Sequence, residues 1–529
     1  MRDLHFPGRS PVRSMNAMAC TSQPASTLAA IDIMRQGGNA MDAAVAACAV
    51  QCVVEPQSTG IGGDCFCLYA PAGQNKVIGL NGSGRAPAKA EVGWFLERGI
   101  KGKVDMWGPH AVTIPGAVDA WITLLEDHGT MGIDQVLQPA IGYAENGFVV
   151  HSRTGDDWAG NMKKLLKDPD SKQQFTKSGK PYAEGDVFVQ AKLAATLKRI
   201  AEHGRDGFYK GPVAEDIVRK LEGLGGLQTL DDFAGTKSKY VEPICTDYKD
   251  HQVWEIPPNG SGIITLLLLN ILKGFDLSNG GPTGTRRLHH LIEAAKLAYR
   301  DRNAFVADPD FVDVPVDALL SEDYGRSLAK LVDPDRAATE LPPPSLPNDD
   351  TVYLCVVDKD GNACSFINSL FQGFGSGILA PESGVMLQNR GFGFVVEEGH
   401  PNCIAPNKRP LHTIIPAMLT EGGRARMPFG VMGGHFQPFG QTYFLTNLLD
   451  YGLDIQQSFD LGRIFCMGGD VEIERSVPAE AVRGLMDLGH KCSVVNKPHG
   501  GGQGIWIDWD KGTLAGGSEP RKDGCAMGY

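Results

Sequence analysis

Apolar positions recur at helical spacing over residues 26–34 and stop at Gly37-Gly38, which predicts a first helix. The Ala/Val-rich run 39–53 follows and has no polar face, so it reads as a helix buried all round that closes before Glu55-Pro56. Gly60, Gly62 and Gly63 then lead through Asp64 into a strand over 65–69, whose alternation puts Cys65 and Cys67 on one face. Amphipathic helices are predicted over 192–202 and 288–299. The texture changes at Val332: residues 332–350 are rich in proline and acid and read as an exposed linker. A β-hairpin comes directly after it, with a strand over 351–357, a turn at 358–362 and a second strand over 363–370. No repeat of 20–50 residues is visible.

Composition narrows the class without naming a chemistry. The chain has 529 residues, 42% hydrophobic and 21% charged, with a net charge of −12. A diffuse negative balance without a run of basic residues argues against nucleic acid as a partner. The longest apolar run, 263–271, is too short to cross a bilayer, and the first residues carry no apolar signal segment. Twelve scattered cysteines read as small buried hydrophobes in a reducing cytosol, so a cytoplasmic enzyme is expected. The Cys65/Cys67 pair lacks companion ligands at metal-binding spacing, and no metal or organic cofactor is expected.

One position combines linker and hairpin. Cleavage before Thr351 would give that residue a hydroxyl and a free α-amine on the same backbone unit. The amine, with a pKa of about 8, can accept the hydroxyl proton, so a single residue supplies both nucleophile and base. The same hydroxyl can first attack the carbonyl of Asp350 and cut the chain, giving fragments of 350 and 179 residues.

The stretch Thr21-Ser22-Gln23-Pro24, Gly37-Gly38-Asn39-Ala40-Met41-Asp42-Ala43-Ala44, Glu55-Pro56 and Gly60-Ile61-Gly62-Gly63-Asp64 resembles the γ-glutamyltranspeptidase family. Further matches are Ala86-Pro87-Ala88, Gly207-Phe208-Tyr209-Lys210-Gly211, Pro257-Pro258-Asn259-Gly260-Ser261-Gly262, Glu293-Ala294 with Asp301-Arg302, Lys408-Arg409-Pro410-Leu411 and Gly433-Gly434. The resemblance covers nearly the whole chain. It implies an α+β fold, the four-layer αββα sandwich of N-terminal-nucleophile hydrolases. It also implies self-cleavage into a large subunit, 1–350, and a small one, 351–529, that share one αββα domain. The partners implied are a small amide substrate and the other fragment of a heterodimer, with pairing of two heterodimers as a further option. Thr351 matches the family's nucleophile, Ser369 its hydroxyl partner on the second hairpin strand, and Gly433 and Gly434 the backbone donors of the oxyanion hole.

The departures fall on substrate recognition. Val352 and Tyr353 replace a Thr and a His, Phe371 replaces an Asn that contacts the glutamyl group, and Gly393 replaces the acid that pairs with its ammonium. Ser83 takes the place of the carboxylate-binding Arg, with Arg85 two residues on, and His412-Thr413 replaces a serine pair. Arg85, Arg390, His412 and His435 are therefore expected around a substrate anion. Within the family the pattern is most similar to the oxamate amidohydrolase branch, which implies hydrolysis of oxamate to oxalate and ammonia in purine breakdown. A glutathione-cleaving γ-glutamyl enzyme, a β-lactam side-chain acylase with a roomier pocket, and an unprocessed anion-binding protein are the alternatives.

Overall fold

A computed structural model of the chain describes residues 8–278, 280–338, 351–467 and 469–529. Asp350 and the part of the predicted linker from 339 onward lie outside the described residues.

Two seven-stranded sheets form the centre. The first runs Cys525–Gly528, Met18–Thr21, Val352–Val357, Ala363–Ser369, Asp64–Ala70, Ile78–Gly82 and Lys239–Val241 in spatial order. The second runs Val12–Ser14, Thr513–Ser518, Gly501–Asp508, Arg424–Met432, Ala417–Glu421, His251–Glu255 and Ile244–Tyr248. Their inner faces meet through Tyr353, Ile367, Met418, Met432 and Ile505. Helices including Pro24–Arg35 and Ala40–Val54 cover the outside of the first sheet, and Gly262–Leu272, Thr285–Phe305 and Gln437–Leu449 cover the second. The result is the four-layer αββα sandwich.

The sequence explains the placement. Every residue of Ala40–Val54 is buried, and its start is fixed by a capping box between Asn39 and Asp42. Asp358 in the hairpin turn accepts the Ala40 N–H at 2.9 Å, a carboxylate at the positive end of that helix. Helix and hairpin are thereby docked together. The strand over 65–69 extends to Asp64–Ala70, and the Cys67 and Cys364 sulfurs lie 3.7 Å apart across the pairing, both buried. Among the described residues no helix is long and apolar enough to cross a membrane.

Candidate active site

The hairpin register sets the centre. Val352 pairs with Asn368 in the antiparallel ladder, so Thr351 lies across from Ser369. Their hydroxyl oxygens are 3.1 Å apart and both residues are buried. Ser369 Oγ also accepts the Phe371 N–H at 2.8 Å and an Arg390 Nη2–H at 3.4 Å. Phe371 holds a positive φ of 80°, a strained conformation for a bulky side chain, and its ring lies under the Arg390 guanidinium at 4.0 Å. Arg390 further donates to Thr413 Oγ1 at 2.8 Å.

The second sheet brings in the glycine pair. Tyr353 lies against Gly430, where a Cβ would meet its ring at 2.4 Å, so the strand after Thr351 packs on the strand that ends at Met432. Gly433 (φ 118°) and Gly434 (φ 54°) turn the chain there in the left-handed region. The His435 ring follows, edge-on to Phe371 with centroids 6.5 Å apart.

His435 is buried, and its Nδ1 accepts from Arg302 Nη1 at 2.8 Å. Burial first, then the charges of Arg302, Arg390 and Lys103, hold its pKa well below the usual histidine range, so it is neutral. With Nδ1 accepting, the ring proton sits on Nε2. Lys103 completes the cationic side, donating to the carbonyls of Phe392, Gly393 and Phe394 at 3.0–3.4 Å, and burial followed by Arg302 lowers its pKa to about 8.

Two of the expected anion ligands have other duties. Arg85, a third exposed, donates to the Asn407 carbonyl and to Asp310, with Asp308 at 3.9 Å, so its guanidinium is held by aspartates and does not join Thr351. His412 donates Nε2–H to Asp64 at 3.0 Å and accepts the Ile414 N–H on Nδ1, which uses both nitrogens. Asp64 in turn accepts Gly84 N–H, Gly116 N–H and the Gln388 amide. His412 therefore braces the loops behind the site. Lys103 was missed from sequence, since a single charge far from the hairpin looks like a surface residue until the fold buries it, and Arg302 stood there only as part of a family match, with no role at the site.

Burial, then Arg390, lowers the His412 pKa to about 3. The unfolded ring takes up a proton below about pH 6.5 and the folded one does not, so stability is lost as pH falls from about 6.5 toward 3. His412→Gln keeps a donor for Asp64 and removes the titration. The fall in melting temperature between pH 7 and pH 5 should be smaller in this variant than in the parent; an equal fall in both would contradict the assignment.

A cleft of about 400 Å³ opens beside Gly433. Gln372, Met106, Trp107, Lys164 and Lys497 line it, and Lys164 donates to the Gly373 and Gly375 carbonyls beneath.

This buried Thr–Ser pair at the head of an inner strand of an αββα sandwich defines an N-terminal-nucleophile amide hydrolase. The family model for γ-glutamyltranspeptidase matches residues 26–529, and the chain belongs to that family. A glutathione hydrolase-like proenzyme (YwrD) of Bacillus subtilis (strain 168) is 38% identical over 94% of this chain and 95% of its own length. The oxamate amidohydrolase proenzyme of Klebsiella pneumoniae is 31% identical, over 98% and 99%. The crystal structure of a cephalosporin acylase from Bacillus halodurans superimposes with a TM-score of 0.93 at 38% identity, covering 99% of this chain and 98% of that one.

Proposed function

We propose that the chain cuts itself between Asp350 and Thr351, yielding associated fragments 1–350 and 351–529, and that the new α-amine of Thr351 serves as base for its own hydroxyl. The hydroxyl adds to the substrate carbonyl, and the Gly433 and Gly434 N–H groups receive the oxyanion. The protonated amine gives its proton to the departing nitrogen, and water then cleaves the acyl-enzyme. The substrate is an amide whose acyl part carries a carboxylate, oxamate being the smallest such molecule. The observation that carries this is the Arg390 guanidinium, one hydrogen bond from Ser369 and two from the nucleophile hydroxyl. His435 Nε2–H and Lys103 add to the positive side.

The same residues disfavour a γ-glutamyl substrate. Its ammonium would find no carboxylate partner at Gly393, whose carbonyl already accepts from the Asn402 amide and faces the Lys103 ammonium. The 400 Å³ cleft supports a second reading, in which the departing amine is larger than ammonia, as in an acylase. Relatives named for glutathione hydrolysis and cephalosporin acylation are more alike this chain than the one named for oxamate.

A substrate panel separates the readings: oxamate, glutamine, glutathione, a glutaryl amide of a bulky amine and a γ-glutamyl anilide, followed by released ammonia or amine. Carboxylate-bearing acyl amides without an α-ammonium should turn over at least about 100-fold faster, in kcat/KM, than the γ-glutamyl compounds, the equivalent of about 2.7 kcal/mol of transition-state discrimination. Oxamate as best substrate supports the small-amide reading and the glutaryl amide the acylase reading. Fastest turnover of glutathione or the anilide would overturn both.

A further inference from the structure

On the far side of the second sheet, helix Thr285–Phe305 presents His289, Glu293 and Lys296, all buried, to a stretch of chain without regular structure. His289 Nε2 bonds the Asp333 carbonyl at 2.7 Å, and Lys296 Nζ donates to the Ala338 carbonyl at 3.3 Å. Glu293 Oε2 accepts the Ala338 N–H at 3.2 Å, and its other oxygen accepts from Lys296 at 2.7 Å. His490 donates to the remaining nitrogen of His289 at 2.8 Å, and the Leu488 carbonyl accepts the Ala337 N–H at 2.8 Å. The strip thus grips the backbone of 333–338 at both ends.

The atoms of His289, Glu293 and His490 also gather within 4.8 Å, a ligand-like grouping. A direct His–His hydrogen bond and an ammonium on Glu293 already close that space, so the cluster is complete as a set of hydrogen bonds. Burying an ion pair has a desolvation cost, and here the pair's remaining valences go to the main chain of a strap. That strap ends thirteen residues before Thr351 in the sequence.

We propose that His289, Glu293, Lys296 and His490 form a positioning clamp for self-cleavage: they anchor 333–338 so that the chain entering the scissile bond meets the Thr351 hydroxyl. The clamp acts on the precursor and leaves hydrolysis by the cleaved enzyme alone. This rests on the reading of Thr351 as the self-cleaving nucleophile. Intramolecular attack depends steeply on placement of the reacting groups, so slackening one anchor should slow cleavage at least about tenfold.

The test follows precursor loss on denaturing gels after cell-free synthesis of the full chain. Glu293→Gln and Lys296→Met should each slow cleavage at least about tenfold, and Lys296→Arg should recover to within about threefold. Ala338→Pro removes from the strap the N–H that Glu293 accepts, so slowing there is read with every side chain of the buried strip unchanged. Once cleaved, each variant should match the parent in kcat and KM. Cleavage within twofold of the parent in Glu293→Gln and Ala338→Pro would overturn the proposal. So would a parallel loss of kcat, or cleavage that a chelator stops. Thr351→Ala, run alongside, separates the two levels: if it cleaves, the nucleophile reading fails, whereas clamp variants cleaving normally beside an uncleaved Thr351→Ala sink the clamp alone.

Discussion

Thr351→Ala is expected to remain a single chain and to lose at least about 10⁴-fold in amide hydrolysis. The reason is specific to this position. In the proposed mechanism one side chain supplies the oxygen for both reactions, and the base for the second is created by the first. The substitution should spare the fold, because Ser369 Oγ keeps its bonds to the Phe371 N–H and to Arg390. Loss of one hydroxyl pairing costs about 1 kcal/mol, so a thermal melt should move by only a few degrees. Thr351→Ser retains a hydroxyl and should still cleave. An alanine variant that splits into two fragments, or that hydrolyses substrate at more than about a hundredth of the parent rate, would contradict the assignment.

Gly433→Ala is expected to lower kcat by about 10²–10³-fold. The φ of 118° is one that L side chains rarely adopt, and an added Cβ would stand 2.8 Å from the Gly500 Cα, which is backbone and cannot swing away. The peptide must shift, and with it the N–H groups proposed to receive the oxyanion. Stability should fall by about 1–3 kcal/mol as well. Gly399→Ala provides the control: its φ of 82° carries similar strain, yet nothing lies within 4 Å of the new Cβ. That variant should lose stability without losing kcat. Normal kcat with a raised KM in Gly433→Ala would remove the glycine pair from the oxyanion role.

The hairpin was legible because its strands are dense in β-branched and aromatic residues and its turn is polar, and its register alone places Thr351 across from Ser369. The buried helix Ala40–Val54 was legible for the opposite reason, an apolar run without a polar face that closes before Glu55-Pro56, whereas the capping role of Asn39 was not read. The strand Gly501–Asp508 was not read: three of its first four residues are glycines because neighbours press on the backbone, with Phe459 Cε1 only 2.2 Å from a Cβ at Gly502. Sequence adjacency also misplaced Arg85. Lying next to a site motif says nothing about which way a side chain points, and Asp308 and Asp310 claim it. Lys103 and Arg302 illustrate the converse, since only the folded chain shows that their charges converge on His435.

In the proposed reaction the cationic pocket and the Thr351 nucleophile act together on a substrate that brings its own negative charge to a neutral catalytic pair. All of that depends on the peptide bond before Thr351 being broken. Intact-mass and N-terminal analysis of the purified active protein tests this most directly. The account predicts two species, the smaller beginning at Thr351 and spanning 351–529. A small fragment with any other first residue, or full activity in an unbroken 529-residue chain, would contradict it.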